Sequence, residues 1–92
     1  MKRNGMRPIH PGEILSEEFL KPLDIATAAL ARLLNEPEAE IGDVVSQQVG
    51  VSAGLAKKLS GHLNTTPEFW LNLQATYDLR EAGIERGRAL NT

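Results

Sequence analysis

The stretch Thr66-Pro67-Glu68-Phe69-Trp70-Leu71-Asn72-Leu73-Gln74, continued by Ala75-Thr76-Tyr77-Asp78-Leu79-Arg80, reads as the opening of a long helix. Thr66 can cap the free N–H groups of the first turn, Pro67 suits the first helical position, and Glu68 complements the positive helix end. At 100° per residue the segment carries two apolar stripes. Phe69, Trp70, Leu73, Tyr77 and Ile84 share one arc, roughly 100° wide. Leu71, Ala75, Leu79 and Ala82 lie on the other side, with polar residues along both flanks. One stripe serves the core of the domain. The other asks for a partner, and a second copy of the chain is the simplest one. A homodimer is expected through Leu71, Ala75, Leu79 and Ala82, or through the Trp70 stripe if the core lies opposite.

Upstream, punctuation divides the chain into four shorter helices. The His10-Pro11-Gly12 turn precedes a helix over 13–20, which Pro22 is expected to stop. His10 is placed to cap or pack at the start of that helix. Asp24 or Thr27 can cap a second helix over 28–34, ended by Asn35-Glu36-Pro37. A third, over 38–47, puts Ile41, Val44 and Val45 at inward spacing. Ser52 caps a fourth over 53–63 that buries Leu55, Ala56, Leu59 and Leu63, and Asn64 can take the left-handed closing position. No segment alternates with period two, so the fold is read as all-α. Residues 1–8 read as a flexible leader, 9–83 as one domain, and 84–92, with Gly87, as a frayed tail.

Composition narrows the function. The 92 residues suffice for one domain with a modest core, and 41% apolar with 24% charged residues is ordinary for a globular protein. The absence of cysteine excludes disulfides and thiolate metal sites. No apolar run is long enough to span a membrane, and the basic start has no apolar segment after it, so a cytoplasmic location is expected. No nucleophile elbow, Gly-rich loop or metal-spaced cluster is present. We therefore expect no catalytic residue, no metal, no cofactor and no enzyme activity. His62 reads as solvent-facing and Glu17-Glu18 as a solvated helix face.

Helices two and three are short and joined by a tight connection, the spacing of a helix-turn-helix. Arg7-Pro8-Ile9-His10-Pro11-Gly12-Glu13-Ile14-Leu15 with Glu17-Glu18-Phe19-Leu20, and the Thr66 to Gln74 motif above, closely resemble the HigA antitoxins, XRE-type helix-turn-helix proteins. The register runs without gaps from about residue 7 to residue 80. The resemblance implies a five-helix, lambda-repressor-like domain and a homodimer that represses its own operon. It also implies that the dimer binds a RelE-like, ribosome-dependent mRNA endonuclease, a HigB-like toxin. Contact with the toxin is expected through folded surface, chiefly the first helix and its leader.

The chain departs from that family where DNA would be touched. Asn35-Glu36 replaces the usual Gly-Val pair of the turn, and Gln47-Gln48-Val49 stands where the family carries a basic Gly-Lys-Arg-like segment. Between residues 33 and 56 there are four acidic residues and no basic one. Affinity for duplex DNA comes largely from cations displacing counterions, which acidic side chains oppose, although a carboxylate can accept from cytosine N4. If the third helix enters the major groove, Glu38, Ala39, Gly42 and Asp43 are its exposed positions. Thr27, Gln47 and Gln48 would hold phosphates, and Arg32, Lys57 and Lys58 are the nearest cations. The other reading of the same residues is a degenerate helix-turn-helix that neutralises a toxin without specific DNA binding.

Overall fold

The computed structural model describes residues 7–90, with side chains as far as Ile84, and every regular element among them is helical. Helix α1 consists of Pro11–Ile14, a π-helical turn Leu15–Leu20 and a last turn Lys21–Leu23. It is followed by α2 (Thr27–Leu34), α3 (Glu38–Val45), α4 (Ala53–Leu63) and α5 (Pro67–Leu90). Three sequence expectations change here. Pro22 does not end the first helix: the π turn, in which the Lys21 N–H donates to the Ser16 carbonyl, widens the ladder just before the proline ring. Asp24 and Thr27 do not cap α2; Ala26 precedes it in an extended conformation with no side-chain cap. Finally, α5 continues through Gly83 and Gly87 to Leu90, so residues 84–90 are helical, while Asn91 and Thr92 lie outside the described residues. Of the expected leader, residues 1–6 also lie outside them, and Arg7 is tied to Glu13 by two 2.9 Å hydrogen bonds.

Four helices end in the same manner, on a non-glycine residue with positive φ: Asp24, Asn35, Gln47 and Asn64. After α2, the Asn35 N–H donates to Arg32 O at 3.2 Å and the Glu36 N–H to Ala31 O at 2.9 Å. After α3, the Gln47 N–H donates to Val44 O and the Gln48 N–H to Asp43 O. These paired bonds satisfy carbonyls that helix ends leave open. Aspartate and asparagine tolerate the left-handed region; Gln47 occupies it without their short polar side chain. This closure is also why α3 stops at Val45, two residues earlier than its periodicity suggests.

The core is one cluster to which all five helices contribute, from Leu15 and Leu20 through Leu30, Leu34, Ile41, Val44, Ala56 and Leu59 to Trp70. Helix α2 packs on α3, α4 packs on α5, and α1 bridges the two pairs. Trp70 is fully buried, its Nε1–H donates to Thr65 Oγ1 at 2.7 Å, and its ring meets those of Phe19 and Phe69. Trp70 therefore belongs to the core and offers no surface to a second copy. Its stripe of α5 faces inward at Leu73 and Tyr77 as well, whereas Phe69 and Ile84 remain exposed. Ser52 and Thr66 cap α4 and α5 as their sequence positions suggest, accepting from Leu55 N–H and Phe69 N–H.

The start of α1 is where the two helix pairs meet. A Cβ on Gly12 would lie 1.8 Å from the Val44 carbonyl oxygen, so only glycine allows α1 to rest on the end of α3. Beside it, buried His10 accepts from the Gly12 N–H at Nδ1 (2.9 Å) and meets the Tyr77 ring edge-on at a centroid distance of 4.8 Å. Gly12→Ala is expected to destabilise the domain by about 3 kcal/mol or more, because neither backbone can retreat. At roughly 4–8 °C per kcal/mol for a domain of this size, thermal unfolding followed by circular dichroism should show a drop of more than ~10 °C.

Burial pushes the His10 imidazole below the usual histidine range, against the Val49 backbone acceptor and the Asp78 carboxylate, which favour the charged form. The folded state thus holds the ring neutral, which leaves Nδ1 free to accept, and the unfolded chain binds the proton more readily. The resulting stabilisation is complete above pH ~6.5 and is lost as pH falls from there toward the folded-state value. Melting temperature should decline between pH 7.5 and pH 5.5, and His10→Asn, which retains a capping acceptor without the titration, should flatten that decline.

Candidate nucleic-acid interface

Helices α2 and α3 are joined by the three residues Asn35-Glu36-Pro37, with Asn35 left-handed and Pro37 extended at the helix entry. Burial of Leu30, Ala31 and Leu34 on one helix against Ile41 and Val44 on the other sets the pair. The opposite side of α3 is left open. Thr27, Glu38, Ala39, Gly42, Asp43 and Val45 together line a shallow groove along it. Five of the eight residues expected to contact DNA are thereby brought to one surface. Of the other three, Arg32 is exposed on α2 but does not line the groove, and Gln47 and Gln48 stand exposed in the turn beyond α3. Val45, read as a core position, is half-buried and forms part of the groove wall.

The four acids differ in their surroundings. The Glu36 carboxylate is ion-paired with Lys58 on α4, which holds its carboxyl below the usual range. Lys58 is therefore committed to neutralising the turn and is not a spare cation for the backbone of a duplex. Glu38 and Asp43 point to the groove side and, among the described residues, have neither an ion pair nor a side-chain hydrogen bond. The first turn of α3 thus carries negative charge at the end where peptide dipoles favour it, on the face a duplex would meet. Among the described residues no group of histidines and carboxylates is placed to hold a metal ion, and no helix is long and apolar enough to cross a membrane.

The loop after α3 is held from two sides. Gln74 on α5 accepts from the Val51 N–H at 2.8 Å through Oε1 and donates to Asp78 Oδ1 at 3.0 Å. Gly50 leaves room for it, since a Cβ there would lie 2.6 Å from Gln74 Oε1. Val49 meets the His10 ring through its backbone. Read from the sequence alone, Gln74 is merely a polar flank between stripes; no local pattern announces that it anchors a loop 23 residues away. On the outer side of α5, Leu71, Ala75, Leu79 and Ala82 are all exposed, Leu79 to 73%.

An all-helical domain presenting a helix-turn-helix pair is the class of protein this arrangement defines. No protein-family model matches the chain. It is 38% identical over 79 residues to antitoxin HigA-1 of Vibrio cholerae, covering 86% of this chain and 74% of that protein. Among solved structures it resembles the Pseudomonas aeruginosa antitoxin HigA with the higBA promoter, with a TM-score of 0.86 and 45% identity over 91% of each chain. It is likewise similar to antitoxin GraA in complex with its operator, with a TM-score of 0.85 and 50% identity over 98% of this chain and 91% of that one. The chain belongs to the HigA-type antitoxin family of helix-turn-helix proteins.

Removal of the Gln74 side chain tests the loop anchor. Gln74→Ala leaves the part-buried Val51 N–H without its acceptor, and a loss of about 1–3 kcal/mol is expected. Amide hydrogen exchange should show the loss of protection concentrated at residues 49–51.

Proposed function

We propose that this chain is the antitoxin of a type II toxin–antitoxin pair and that, as a homodimer, it binds operator DNA and represses its own operon. The single observation that carries this reading is its likeness, over nearly its whole length, to two antitoxins solved with promoter or operator DNA. In this reading α3 enters the major groove through Glu38, Ala39, Gly42 and Asp43. Thr27 and Gln47-Gln48 flank it on the phosphates. The outer stripe of α5 supplies the interface between copies. Exposure of Leu71, Ala75, Leu79 and Ala82 supports that role, since the opposite stripe is already used by the core.

The second partner in this reading is a HigB-like, RelE-like mRNA endonuclease, bound in the cytoplasm by the preformed surface of α1 and the residues before it. A basic nuclease would suit the acidic balance of the chain. Charge on α3 favours one alternative, a helix-turn-helix that retains the toxin and has lost tight operator binding. With Lys58 paired to Glu36 and Glu38 and Asp43 facing outward, we expect operator affinity weaker than ~10 nM at ~150 mM salt, the weak end of specific binding.

Four measurements check these expectations. Gel shift with the upstream region of the operon tests operator binding, and failure to shift at any protein concentration would leave only the toxin-neutralising alternative. Replacing Glu38, Glu40 and Asp43 by Gln, Gln and Asn should tighten duplex binding and steepen its dependence on salt. Ala75→Glu combined with Leu79→Asp should give a folded monomer by light scattering with markedly reduced operator affinity; an unchanged dimer would place the interface elsewhere. Co-expression with the adjacent small basic reading frame should rescue growth, and the absence of a co-purifying complex would count against the antitoxin reading.

A further inference from the structure

The structure commits one acid of the helix-turn-helix, Glu36, to an ion pair and leaves Glu38 and Asp43 on the open groove, and this bears on which bases the chain reads. Glu36 is paired with Lys58, away from the groove. Glu38 and Asp43 line the groove, are exposed, and among the described residues have no ion pair or side-chain hydrogen bond of their own. Between them on the same face lie Ala39 and Gly42, which present no polar side-chain atom and allow close approach.

We propose that Glu38 and Asp43 are specificity-determining residues that select cytosine in the contacted strand of each operator half-site; this rests on the operator-binding reading above. An ionised carboxylate is acceptor-only. In the major groove, guanine offers it N7 and O6 and thymine offers O4, all acceptors, so both are repelled. Only the exocyclic amino groups of cytosine and adenine donate. Adenine sets the acceptor N7 directly beside its amino group, which opposes the second carboxylate oxygen, whereas cytosine sets only C5–H there. The usual arginine-to-guanine contact is inverted: the groove-facing side chains of α3 hold acceptors and no cation.

Selection from a randomised duplex library by the full dimer, with the wild type, Glu38→Gln and Asp43→Asn compared at one salt concentration, tests the assignment. The wild type should enrich cytosine at one or two positions per half-site, by roughly tenfold over guanine at each. Glu38→Gln should lose that preference at its own position or turn it toward adenine, since an amide donates and accepts at once, while binding to the remaining positions persists. Asp43→Asn should do the same at a different position. Circular dichroism confirms that each variant is folded. If the wild type selects a sequence and both variants select the same one with the same weights, the assignment to Glu38 and Asp43 is wrong although operator binding stands. Enrichment of guanine opposite these residues would overturn it equally. If neither the wild type nor the charge-neutralised variants bind any duplex, operator binding itself fails, and this inference with it.

Discussion

The contact between Gly12 and the Val44 carbonyl governs how the five helices fit together. Helix α1 can bridge the α2–α3 pair and the α4–α5 pair only if its first turn rests directly on the end of α3, where no Cβ fits. His10 completes the junction by capping α1 with one ring nitrogen, meeting the Val49 backbone beyond α3, and packing its edge against Tyr77 of α5. Three elements that carry different tasks thereby share one rigid point. The orientation of α3 depends on it: its C-terminal carbonyls are fixed by backbone contact, and the loop that follows is pinned again by Gln74. Small domains hold few buried side chains, so a junction built from a missing methyl and one neutral imidazole carries a large share of the order.

Electrostatics at the groove runs against the general expectation for a DNA reader. Non-specific affinity draws on cations near the phosphates, and here one of the few available, Lys58, is taken up by Glu36. That pairing stiffens the connection between the turn and α4 at the expense of positive charge at the surface. Exposed ion pairs contribute little to stability, so its main consequence is to decide which carboxylates remain uncompensated. In the operator-binding reading, the residual charge on Glu38, Glu40 and Asp43 would weaken attraction to any duplex, and Glu38 and Asp43 would at the same time narrow which base edges the groove can accept. Low general affinity and selective hydrogen bonding are compatible, because the first depends on phosphates and the second on donors in the groove.

Helix α5 has two faces with different surroundings. Its inner stripe supplies Trp70 to the core and Gln74 to the loop behind α3, while the outer stripe stays uncovered. It is about 36 Å long for its 24 residues, and the described part of its outer stripe ends with Leu79 and Ala82 both exposed. Two copies joined through such a stripe would hold their α3 helices at a separation set by a rigid helix and not by a flexible linker, which is what reading two half-sites demands.

Much of this was legible in the residue order. Helical class, the caps at Ser52 and Thr66, the closing Asn64, the inward positions of α4 and the two faces of α5 follow from local rules, because each depends on neighbours within a turn or two. The open face of α3 followed as well, with Glu38, Ala39 and Asp43 exposed and Gly42 half-buried, from the spacing of Ile41 and Val44. What tertiary structure alone decided involves partners far apart in the chain. Whether Trp70 or Leu79 faced inward was undetermined by two stripes of equal promise, and packing against Phe19 settled it. Pro22 is a stop by local rules, which cannot anticipate that a π turn will accommodate it. The pairing of Lys58 with Glu36, 22 residues apart, and of Gln74 with Val51, 23 apart, left no periodic trace. Such contacts arise from the three-dimensional arrangement of helices whose individual lengths and faces, but not mutual positions, local physics dictates.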